Sequence, residues 1–462
     1  MRPHNSLLSL RQLLKIPPNT NVVLLALTFI IAQSAIFCTR AQGVCIGVNF
    51  VFNAADWFPK MKTLHVCGQH LEMVPKLLRD RGFQPVNASV NIDGWGVMFG
   101  GHIHCGAYPM DEAMTSGLNA QMLKHANRLP QHSVYHSCLV CRESICSKRT
   151  LCVLAKWHGF EGVATPECYV LPTEHAAFAS LEPASKWVLK ADGKHRGEGV
   201  SYVNATSISQ LPTLASFDMV QKLYFVPPNT LPIRVYVALT SSYPFRAHVY
   251  CHAHHLIQHS NDTTVFDVCH HARSKMALGD AIVVLNSHAY ANVSSAILAS
   301  VESIARASIT SVSTHVFNRA LQQRQSRCFT FWAVDLALTV DGRALAYEVN
   351  EFPYLDSSGA AQRFVVKQSH LELFDMLGLS GGEADGGLAH ASAACLRSFC
   401  TLHCGSINND ATRMLVLFEH ELATAKIWTL LVEEDPLLPE IPKGSLPWAQ
   451  REYLAHRRSH CT

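Results

Sequence analysis

The chain contains 462 residues, of which 48% are apolar and 16% are charged. This length predicts roughly two or three domains, and the composition excludes collagen, coiled coils, small disulfide scaffolds and multi-span membrane proteins. The 38 basic and 35 acidic side chains leave a formal net charge of only +3, so no nucleic-acid partner is expected.

The first distinctive segment is the uncharged apolar stretch 22–38, which lies at the short end of the lengths that span a bilayer. Basic residues are concentrated before it, so the positive-inside rule predicts a cytosolic tail over 1–21 and a signal-anchor helix over 22–38, followed by a linker over 39–62. The rest of the chain would then be lumenal, in a type II single-pass membrane protein. A signal peptide cleaved near Ala41 and a buried core helix are the alternatives.

Cysteines and sequons agree with an oxidising, glycosylating compartment. N-glycosylation sequons begin at Asn87, Asn204, Asn261 and Asn292. Cysteines cluster over 138–152 and 395–404, and disulfides or buried thiols are favoured over zinc, because Cys138-x-x-Cys141 lacks a well-spaced second pair. The histidine-rich run 251–259 is interpreted as a solvated strand end, although His252 and His254 would share one face of a strand.

From residue 63 onward, helical and strand patterns alternate along the chain. Helices are predicted over 72–82, 115–128, 294–325 and 414–434. Strands are predicted over 186–190, 199–203, 217–225, 233–240, 245–251, 329–340 and 343–350. A Gly-rich linker over 378–391 precedes a Cys-containing C-terminal tail over 392–462.

A glycine-bearing loop, Gly193-Lys-His-Arg-Gly-Glu-Gly199, follows a strand that ends in Lys190. Such a loop can place backbone N–H groups over phosphates, while the lysine supplies a point charge. A plain hairpin loop is the alternative for this pattern. Further along, the polar pair Gln221 and Lys222 lies inside a strong strand, where a nucleotide base or a second phosphate would account for it.

The strongest local pattern is Asp341-Gly342 between two apolar runs, which predicts a hairpin with a two-residue loop. In this hairpin Asp335 lies directly opposite Glu348, and Asn350 shares the face of Glu348. Opposed carboxylates repel each other unless a cation lies between them. With Asn350 they form a hard oxygen set suited to Mg²⁺, which takes further ligands from water and nucleotide phosphates.

The alternation of this hairpin also predicts its two faces. Small residues are expected beside the carboxylates, at Ala333, Ala337 and Ala346. A core face is expected on the other side, at Trp332, Val334, Leu336, Leu338, Leu345, Tyr347 and Val349. A solvated face with two unrelated acids is the alternative.

As a set, these motifs resemble the tubulin-tyrosine ligase-like family. The resemblance is carried by the Lys-ending strand, the Arg-Gly-x-Gly-Val loop, Met219-Val-Gln-Lys, Ile233-Arg-Val-Tyr-Val-Ala-Leu-Thr-Ser and Glu348-Val-Asn. It covers 63–377 and implies an α+β ATP-grasp fold, in which an N-terminal α/β domain precedes central and C-terminal lobes that clamp the nucleotide. The family chemistry is ligation, in which ATP phosphorylates a protein carboxylate and the amine of a free amino acid attacks the acyl-phosphate.

The resemblance implies roles for the matching residues, with ATP and Mg²⁺ as cofactors. Contacts with the nucleotide are implied for Lys190, Arg196, Gly197, Gly199, Gln221 and Lys222. Magnesium ligation is implied for Asp335, Glu348 and Asn350. Arg234 matches an arginine near the γ-phosphate and the incoming amino acid, so Arg234 and Glu348 are the implied catalytic residues.

The chain departs from the family pattern on the substrate side. Pro232 stands where the family has an aspartate, and Gln258 stands where it has an arginine after the fifth strand. The family's His-Leu-Thr-Asn segment has only an echo at Asn286. The metal and phosphate half is kept and the substrate half is altered, so a catalytically degraded nucleotide-binding or structural protein of the secretory pathway is the alternative function.

The segment 237–246 resembles the glutamate-adding branch of the family, which favours glutamate as the added amino acid. The expected partners are a free amino acid and an acceptor protein with an acidic segment. A lumenal domain would not meet tubulin, the usual cytosolic substrate of the family. Tubulin is therefore the expected acceptor only if the domain is cytoplasmic and microtubule-associated.

Overall fold

The structure is a computed structural model whose described residues all lie in one of two units. The units are Met1–Asn53 and Ala54–Thr462, and the described residues belong to the second. They are 63–66, 73–85, 97–99, 134–136, 145–180, 186–192, 198–204, 216–224, 230–242, 244–256, 264–269, 282–284, 293–308, 327–339, 341–350, 353, 359–379, 390–403, 409–432 and 445–461. The predicted cytosolic tail, signal-anchor helix and linker lie outside them. Within these residues, no helix is long and apolar enough to cross a membrane.

Fifteen strands and eight helices are described. The strands are β1 (Thr63–Val66), β2 (Gln84–Pro85), β3 (Val97–Phe99), β4 (Val134–His136), β5 (Cys168–Val170), β6 (Lys186–Lys190), β7 (Val200–Asn204), β8 (Met219–Lys222), β9 (Thr230–Ser242), β10 (Phe245–His255), β11 (Val265–Asp267), β12 (Ile282–Val284), β13 (Arg327–Thr339), β14 (Ala344–Asn350) and β15 (Trp428–Val432). The helices are α1 (Met73–Asp80), α2 (Lys148–Trp157), α3 (His175–Ala179), α4 (Val293–Ser308), α5 (Ala360–Met376), α6 (His390–His403), α7 (Asn409–Thr424) and α8 (Leu446–His460).

The larger sheet has eleven described strands, in the order β12-β11-β10-β9-β13-β4-β3-β1-β2, with β14 also on β13 and β15 also on β10. Strand β13 joins its two parts. The first residues of β13 pair in parallel with β4, and the remainder pairs antiparallel with β9 and β14. The short strands β1 to β4 pair in parallel with one another.

The smaller sheet is antiparallel, with the order β5-β8-β6-β7. Helix α3 covers one of its faces, where Phe178 packs against Trp187 and Leu189. Helix α2 covers the other face, where Cys152 meets Cys168, Val170 and Met219. Because side chains alternate along a strand, Lys190 and Gln221 share the face that α2 covers.

Two cores lie on opposite faces of the central strands β9 and β13. On one face, alternate residues such as Val235 and Val334 pack against α4 and against Leu151 and Leu154 of α2. On the other face, Tyr236, Phe331 and their neighbours pack against α1, α5 and Trp428. Parallel and antiparallel strands covered by helices confirm the predicted α+β class.

Most of the predicted strands are present, with shifted ends. The strand expected over 217–225 is described only as Met219–Lys222, and the helix expected over 294–325 is described as Val293–Ser308. The helix expected over 115–128 lies outside the described residues. The helix expected over 414–434 is wrong beyond Thr424, where α7 ends. The next apolar run forms β15, which pairs with β10 and contains the buried Trp428.

The C-terminal segment is joined to the rest of the unit by buried polar contacts as well as by β15. The Arg246 guanidinium of β10 pairs with Glu421 of α7 at 3.0 Å, and both side chains are almost completely buried. Glu419 of α7 accepts hydrogen bonds from Tyr453 and Arg457 of α8. Residues of the predicted tail therefore make specific contacts with the main sheet.

The expectation of disulfides is confirmed for several cysteines. Disulfides join Cys152 to Cys168, Cys251 to Cys269 and Cys395 to Cys461, and Cys146 and Cys400 are also disulfide-bonded. The solvated strand end predicted for the histidine run is wrong at His252 and His254, whose exposed fractions are 1% and 0%. Both rings pack against aromatic neighbours on the faces of the sheet, His252 against Tyr250 and His254 against Tyr236.

Candidate functional site

A row of ionisable residues crosses four strands of the larger sheet. His254 of β10 pairs with Arg234 of β9, Arg234 pairs with Asp335 of β13, and Asp335 pairs with Glu348 of β14. The predicted opposition of Asp335 and Glu348 is therefore confirmed. Each of the four residues is the direct register partner of the next, so together they form one row across the sheet. The row brings together two predicted magnesium ligands and the predicted catalytic arginine.

Asp335 is the buried centre of this row. Its two oxygens accept hydrogen bonds from Arg234, from Nε at 2.7 Å and from a terminal nitrogen at 2.9 Å. The Asn350 side-chain amide donates a third hydrogen bond, at 2.9 Å. Burial raises the pKa of Asp335, and the guanidinium and the amide oppose that rise. A carboxylate has about four acceptor positions, of which donors among the described residues fill three.

The register of the β13–β14 hairpin shifts next to this row. Asp335 lies opposite Glu348, but its neighbour Leu336 lies opposite Ala346, so Tyr347 is an extra residue in β14. Such a bulge turns two successive side chains of the bulged strand towards one partner residue. Tyr347 and Glu348 therefore do not follow the usual alternation of side chains between the two faces of the hairpin.

The predicted faces of the hairpin are consequently wrong beyond the bulge. Ala346 was expected beside the carboxylates, yet it packs in the core with Val334 and Leu336. Leu345 is completely buried as expected, but it lies opposite Ala337 on the other face of the hairpin, and Tyr347 is not part of the core. The Tyr347 ring instead lies 5.4 Å from the Lys190 ammonium nitrogen. The remaining predicted core residues, Trp332, Val334, Leu336, Leu338 and Val349, are in the core.

Lys190 and Gln221 form a buried pair on the smaller sheet. The Lys190 ammonium donates to Gln221 Oε1 at 2.6 Å and to the backbone oxygen of Tyr347 at 3.0 Å. The second bond joins the smaller sheet directly to the bulge of the larger one. Burial lowers the pKa of Lys190 to about 8, although the carboxylates of Glu348 and Asp335 oppose that shift.

Lys148, the first residue of α2, is a site residue that the sequence reasoning missed. Its ammonium lies 3.4 Å from the Glu348 carboxylate. Ser147 caps the helix by accepting from the Thr150 amide, and the carboxylate of Asp192 accepts from the Ser147 hydroxyl and the Lys148 amide. Asp192 follows β6 two residues after Lys190, so the helix start is held next to Lys190. The Ser147 cap signal is visible in the sequence, but the meeting of Lys148 with the hairpin is not.

The other predicted nucleotide residues are placed differently. Lys222 points away from Gln221, as alternation requires, and pairs with Glu167 at 2.8 Å beside the Tyr224 ring. Gly199 has a φ of 65° at the start of the return strand, a conformation that favours glycine. Arg196 and Gly197 lie outside the described residues.

Of the departures from the family pattern, only Pro232 lies in the described part of the chain. It occupies β9 opposite Ala337, and its carbonyl accepts the amide of Leu256 at 3.1 Å. Gln258 and Asn286 lie outside the described residues. Of the phosphate and metal candidates, the structure brings Lys190 and Gln221 together with the hairpin that bears Asp335, Glu348 and Asn350.

Comparison of the sequence with protein-family models finds no match, and comparison with curated proteins finds none either. Among the described residues, no group of three or more His, Cys, Asp or Glu side chains is arranged to hold a metal ion. The site is therefore defined by its geometry, with Lys148, Lys190 and Arg234 arranged around Asp335 and Glu348.

Proposed function

We propose that the protein is an ATP- and magnesium-dependent ligase of the tubulin-tyrosine ligase-like kind, with an ATP-grasp fold. It would add an amino acid, with glutamate favoured, to a protein carboxylate through an acyl-phosphate. The observation that carries this proposal is the convergence of the Lys190–Gln221 pair and Lys148 on the Asp335–Glu348 hairpin, at the junction of two sheets.

The lysines are suited to the phosphates of a nucleotide. An ammonium group has three N–H donors, and Lys190 uses two of them for Gln221 and Tyr347. In the proposal, the third donates to an anionic phosphate. An approaching phosphate would also stabilise the charged form of Lys190, whose pKa burial lowers. Lys148 would add a second positive charge beside Glu348.

The carboxylates are suited to magnesium in chemistry and number. Glu348 is partly exposed, donors among the described residues fill three acceptor positions of Asp335, and the side-chain oxygen of Asn350 is a further hard donor. Glu348, Asp335 and Asn350 would therefore hold the ion, with water and phosphate oxygens as its remaining ligands. When bound, the ion would neutralise negative charge on the β- and γ-phosphates.

In the proposed reaction, an acceptor carboxylate oxygen attacks the γ-phosphorus of ATP and ADP leaves. The amine of the free amino acid then attacks the acyl carbon, phosphate leaves, and the amine proton is released. Lys148 and Lys190 would stabilise the charge of the transferring phosphoryl group. Arg234 lies next to Asp335 in the cross-strand row. The pair with Asp335 fixes the Arg234 guanidinium at this position.

The proposal is tested with the purified full-length protein, ATP, Mg²⁺ and labelled glutamate, glycine or tyrosine. Glutamate incorporation into an acidic acceptor is expected, and incorporation of tyrosine alone would reverse the choice of amino acid. Glu348→Gln should abolish turnover, because it removes one metal-binding charge from the hairpin. Glu302→Gln, on the exposed side of α4, is the matched control and should retain turnover. Normal turnover of Glu348→Gln would refute the assignment of the site.

The second candidate function is a nucleotide-binding protein that has lost catalysis. One reason is that both oxygens of Asp335, a predicted metal ligand, already accept hydrogen bonds from Arg234. The other is that Pro232 stands in place of a polar residue. Magnesium-ATP should raise the melting temperature by linkage in both cases. Stabilisation without any amino-acid transfer would identify the second function, and no stabilisation would exclude both.

The proposed location is the lumen of the secretory pathway, behind a signal-anchor segment over 22–38. The disulfides support an oxidising compartment, because such bonds are rare in the cytosol. Glycosidase treatment and protease protection of intact vesicles test it. A glycosylated, protected domain would exclude tubulin as the acceptor, whereas an unglycosylated, accessible domain would make tubulin the leading acceptor.

A further inference from the structure

Helix α2 is attached to the smaller sheet at three levels. Its start is held by the Asp192 carboxylate, as described above. Its end is held by Lys156, whose ammonium lies 2.7 Å from each oxygen of Glu174 and 4.8 Å from the centre of the Tyr169 ring. Between these levels lies the disulfide from Cys152 to Cys168 of β5. Among the described residues, this disulfide is the covalent link between the helix and the sheet.

The disulfide is also adjacent to the site on both of its sides. Cys152 follows Lys148 by four residues, so both side chains lie on the same side of the helix. Cys168 lies directly opposite Gln221, the hydrogen-bond partner of Lys190. One end of the disulfide is thus one helical turn from Lys148, and the other end is one strand from the Lys190–Gln221 pair.

We infer that the Cys152–Cys168 disulfide is a positioning element that holds Lys148 against Glu348 and next to the Lys190–Gln221 pair. The inference rests on the proposed function insofar as Lys148 is taken to bind an anionic phosphate there. The disulfide touches neither ligand nor reacting atoms and acts through Lys148.

The physical reason is the rotation of the helix about its axis. The start of α2 is held by hydrogen bonds from the Lys148 amide and the Ser147 hydroxyl and by the disulfide of Cys146 just before the helix. One turn further along, the Cys152–Cys168 disulfide fixes the rotation of the helix relative to β5. A rotation that moves Cys152 away from β5 turns Lys148 in the same direction. The long Lys148 side chain amplifies such a turn at its ammonium group, and the disulfide prevents it.

The first experiment removes the disulfide with Cys152→Ala/Cys168→Ala in the full-length protein and measures binding of magnesium-ATP by titration calorimetry. The dissociation constant should rise about tenfold, as expected when one charge-assisted contact is misplaced. The matched control is Cys395→Ala/Cys461→Ala. Its disulfide closes a longer loop, with a sequence separation of 66 compared with 16, and connects α6 to the residue after α8.

The control separates positioning from stability. Loss of the longer loop should cost at least as much stability in the chain-entropy view, yet it should leave the dissociation constant unchanged. Equal weakening of binding by both variants would overturn the inference, because general loss of stability would then explain the effect. If circular dichroism shows that the double alanine variant is unfolded, Cys152→Val, which refills the buried cluster with Val170 and Met219, replaces it in every assay.

A double-mutant cycle identifies Lys148 as the intermediary. Lys148→Met alone should weaken binding about tenfold. Removal of the disulfide in the Lys148→Met background should then have no further effect, because the two changes disrupt the same contact. Multiplicative effects in the combined variant would overturn the inference, since the disulfide would then act independently of Lys148.

A measurement without nucleotide distinguishes failure of this inference from failure of the proposed function. An amine-reactive ester should label Lys148, whose side chain is 9% exposed, several-fold faster once the disulfide is removed. Lys186, exposed at the start of β6, should be labelled at an unchanged rate. Unchanged labelling of Lys148 would overturn the inference whether or not ATP binds. Faster labelling in a protein that binds no ATP would support the inference and refute the proposed function.

Discussion

The buried ammonium of Lys190 should make the stability of the protein rise with pH in the alkaline range. Burial lowers its pKa from the ordinary value of 10.5 to about 8. Between these two values the unfolded chain keeps a proton that the folded chain has lost. Stability rises with pH wherever the unfolded state binds more protons, so deprotonation of Lys190 favours the folded protein. Below pH 8 both states are protonated, and the folded state bears the cost of a buried charge.

The size of the effect follows from the shift itself. Lys190 is only 7% exposed, so solvent screening is small. One pKa unit corresponds to about 1.4 kcal/mol, and the shift therefore corresponds to about 3 kcal/mol between the extremes of pH. The free energy of unfolding should therefore rise by about 2.5 kcal/mol between pH 7 and pH 10. The rise is smaller than the full value because the unfolded lysine has begun to titrate at pH 10.

The assay compares urea denaturation of the unsubstituted protein with Lys190→Met at several pH values. The free energy of unfolding should rise relative to that of Lys190→Met by about 2.5 kcal/mol from pH 7 to pH 10. Absolute stability at one pH is less informative, because methionine also leaves Gln221 and the Tyr347 carbonyl without their donor. The difference in pH dependence removes that constant contribution.

Lys186 provides the matched control, because it lies at the exposed start of the same strand. Lys186→Met should follow the pH dependence of the unsubstituted protein. If the curves of Lys190→Met and the unsubstituted protein run parallel from pH 7 to pH 10, the reasoning is refuted. Lys190 would then not be a desolvated ammonium, and its proposed response to phosphate would lose its basis.

Two further predictions concern the hairpin and its row of charges. Arg234→Met should lower the free energy of unfolding by about 3–5 kcal/mol in urea denaturation, because Asp335 is left buried without its partner. Arg234→Met/Asp335→Leu should recover most of that loss, and a loss as large as in the single variant would contradict the buried-pair reasoning. Gly342→Ala should lower stability by about 1 kcal/mol in thermal denaturation, because φ at this position is +86°, a conformation that is unfavourable for a residue with a Cβ. The added Cβ would have no atom within 4 Å, so no steric clash contributes to the loss. A substitution without effect there would contradict this backbone argument.

The hairpin could be predicted because its determinants are local. Asp341-Gly342 marks the turn, but the Thr339 amide donates to the Arg343 carbonyl, so the loop between the paired residues spans 340–342 and is one residue longer than the predicted two-residue loop. Counting with a two-residue loop therefore gives the wrong partners next to the turn. The extra residue Tyr347 offsets that error, so Asp335 lies opposite Glu348 as predicted. Ala346 and Leu345 are consequently exchanged between the two faces.

Lys148 and the buried histidines could not be predicted for a different reason. Lys148 is far from Glu348 in sequence, and their contact depends on how α2 packs across two sheets. His254 lies in a polar run that suggests solvent exposure. It is buried because its Nδ1–H donates to the His255 carbonyl and its Nε2 accepts from the Tyr236 hydroxyl, so both ring nitrogens have partners. Such compensation depends on tertiary partners and cannot be read from residue types alone.

The bulge at Tyr347 connects the two halves of the proposed site. In a regular strand, successive side chains point to opposite faces, so Tyr347 would enter the core whenever Glu348 faced Asp335. The extra residue removes this constraint. Glu348 lies opposite Asp335 while the Tyr347 carbonyl accepts from Lys190 at 3.0 Å and the Tyr347 ring lies beside the same ammonium. One strand thereby contacts both the phosphate candidate and the metal candidates. A hairpin without the bulge would continue the register of Leu336 with Ala346, so Asp335 would lie opposite Tyr347 and the two carboxylates would no longer face each other.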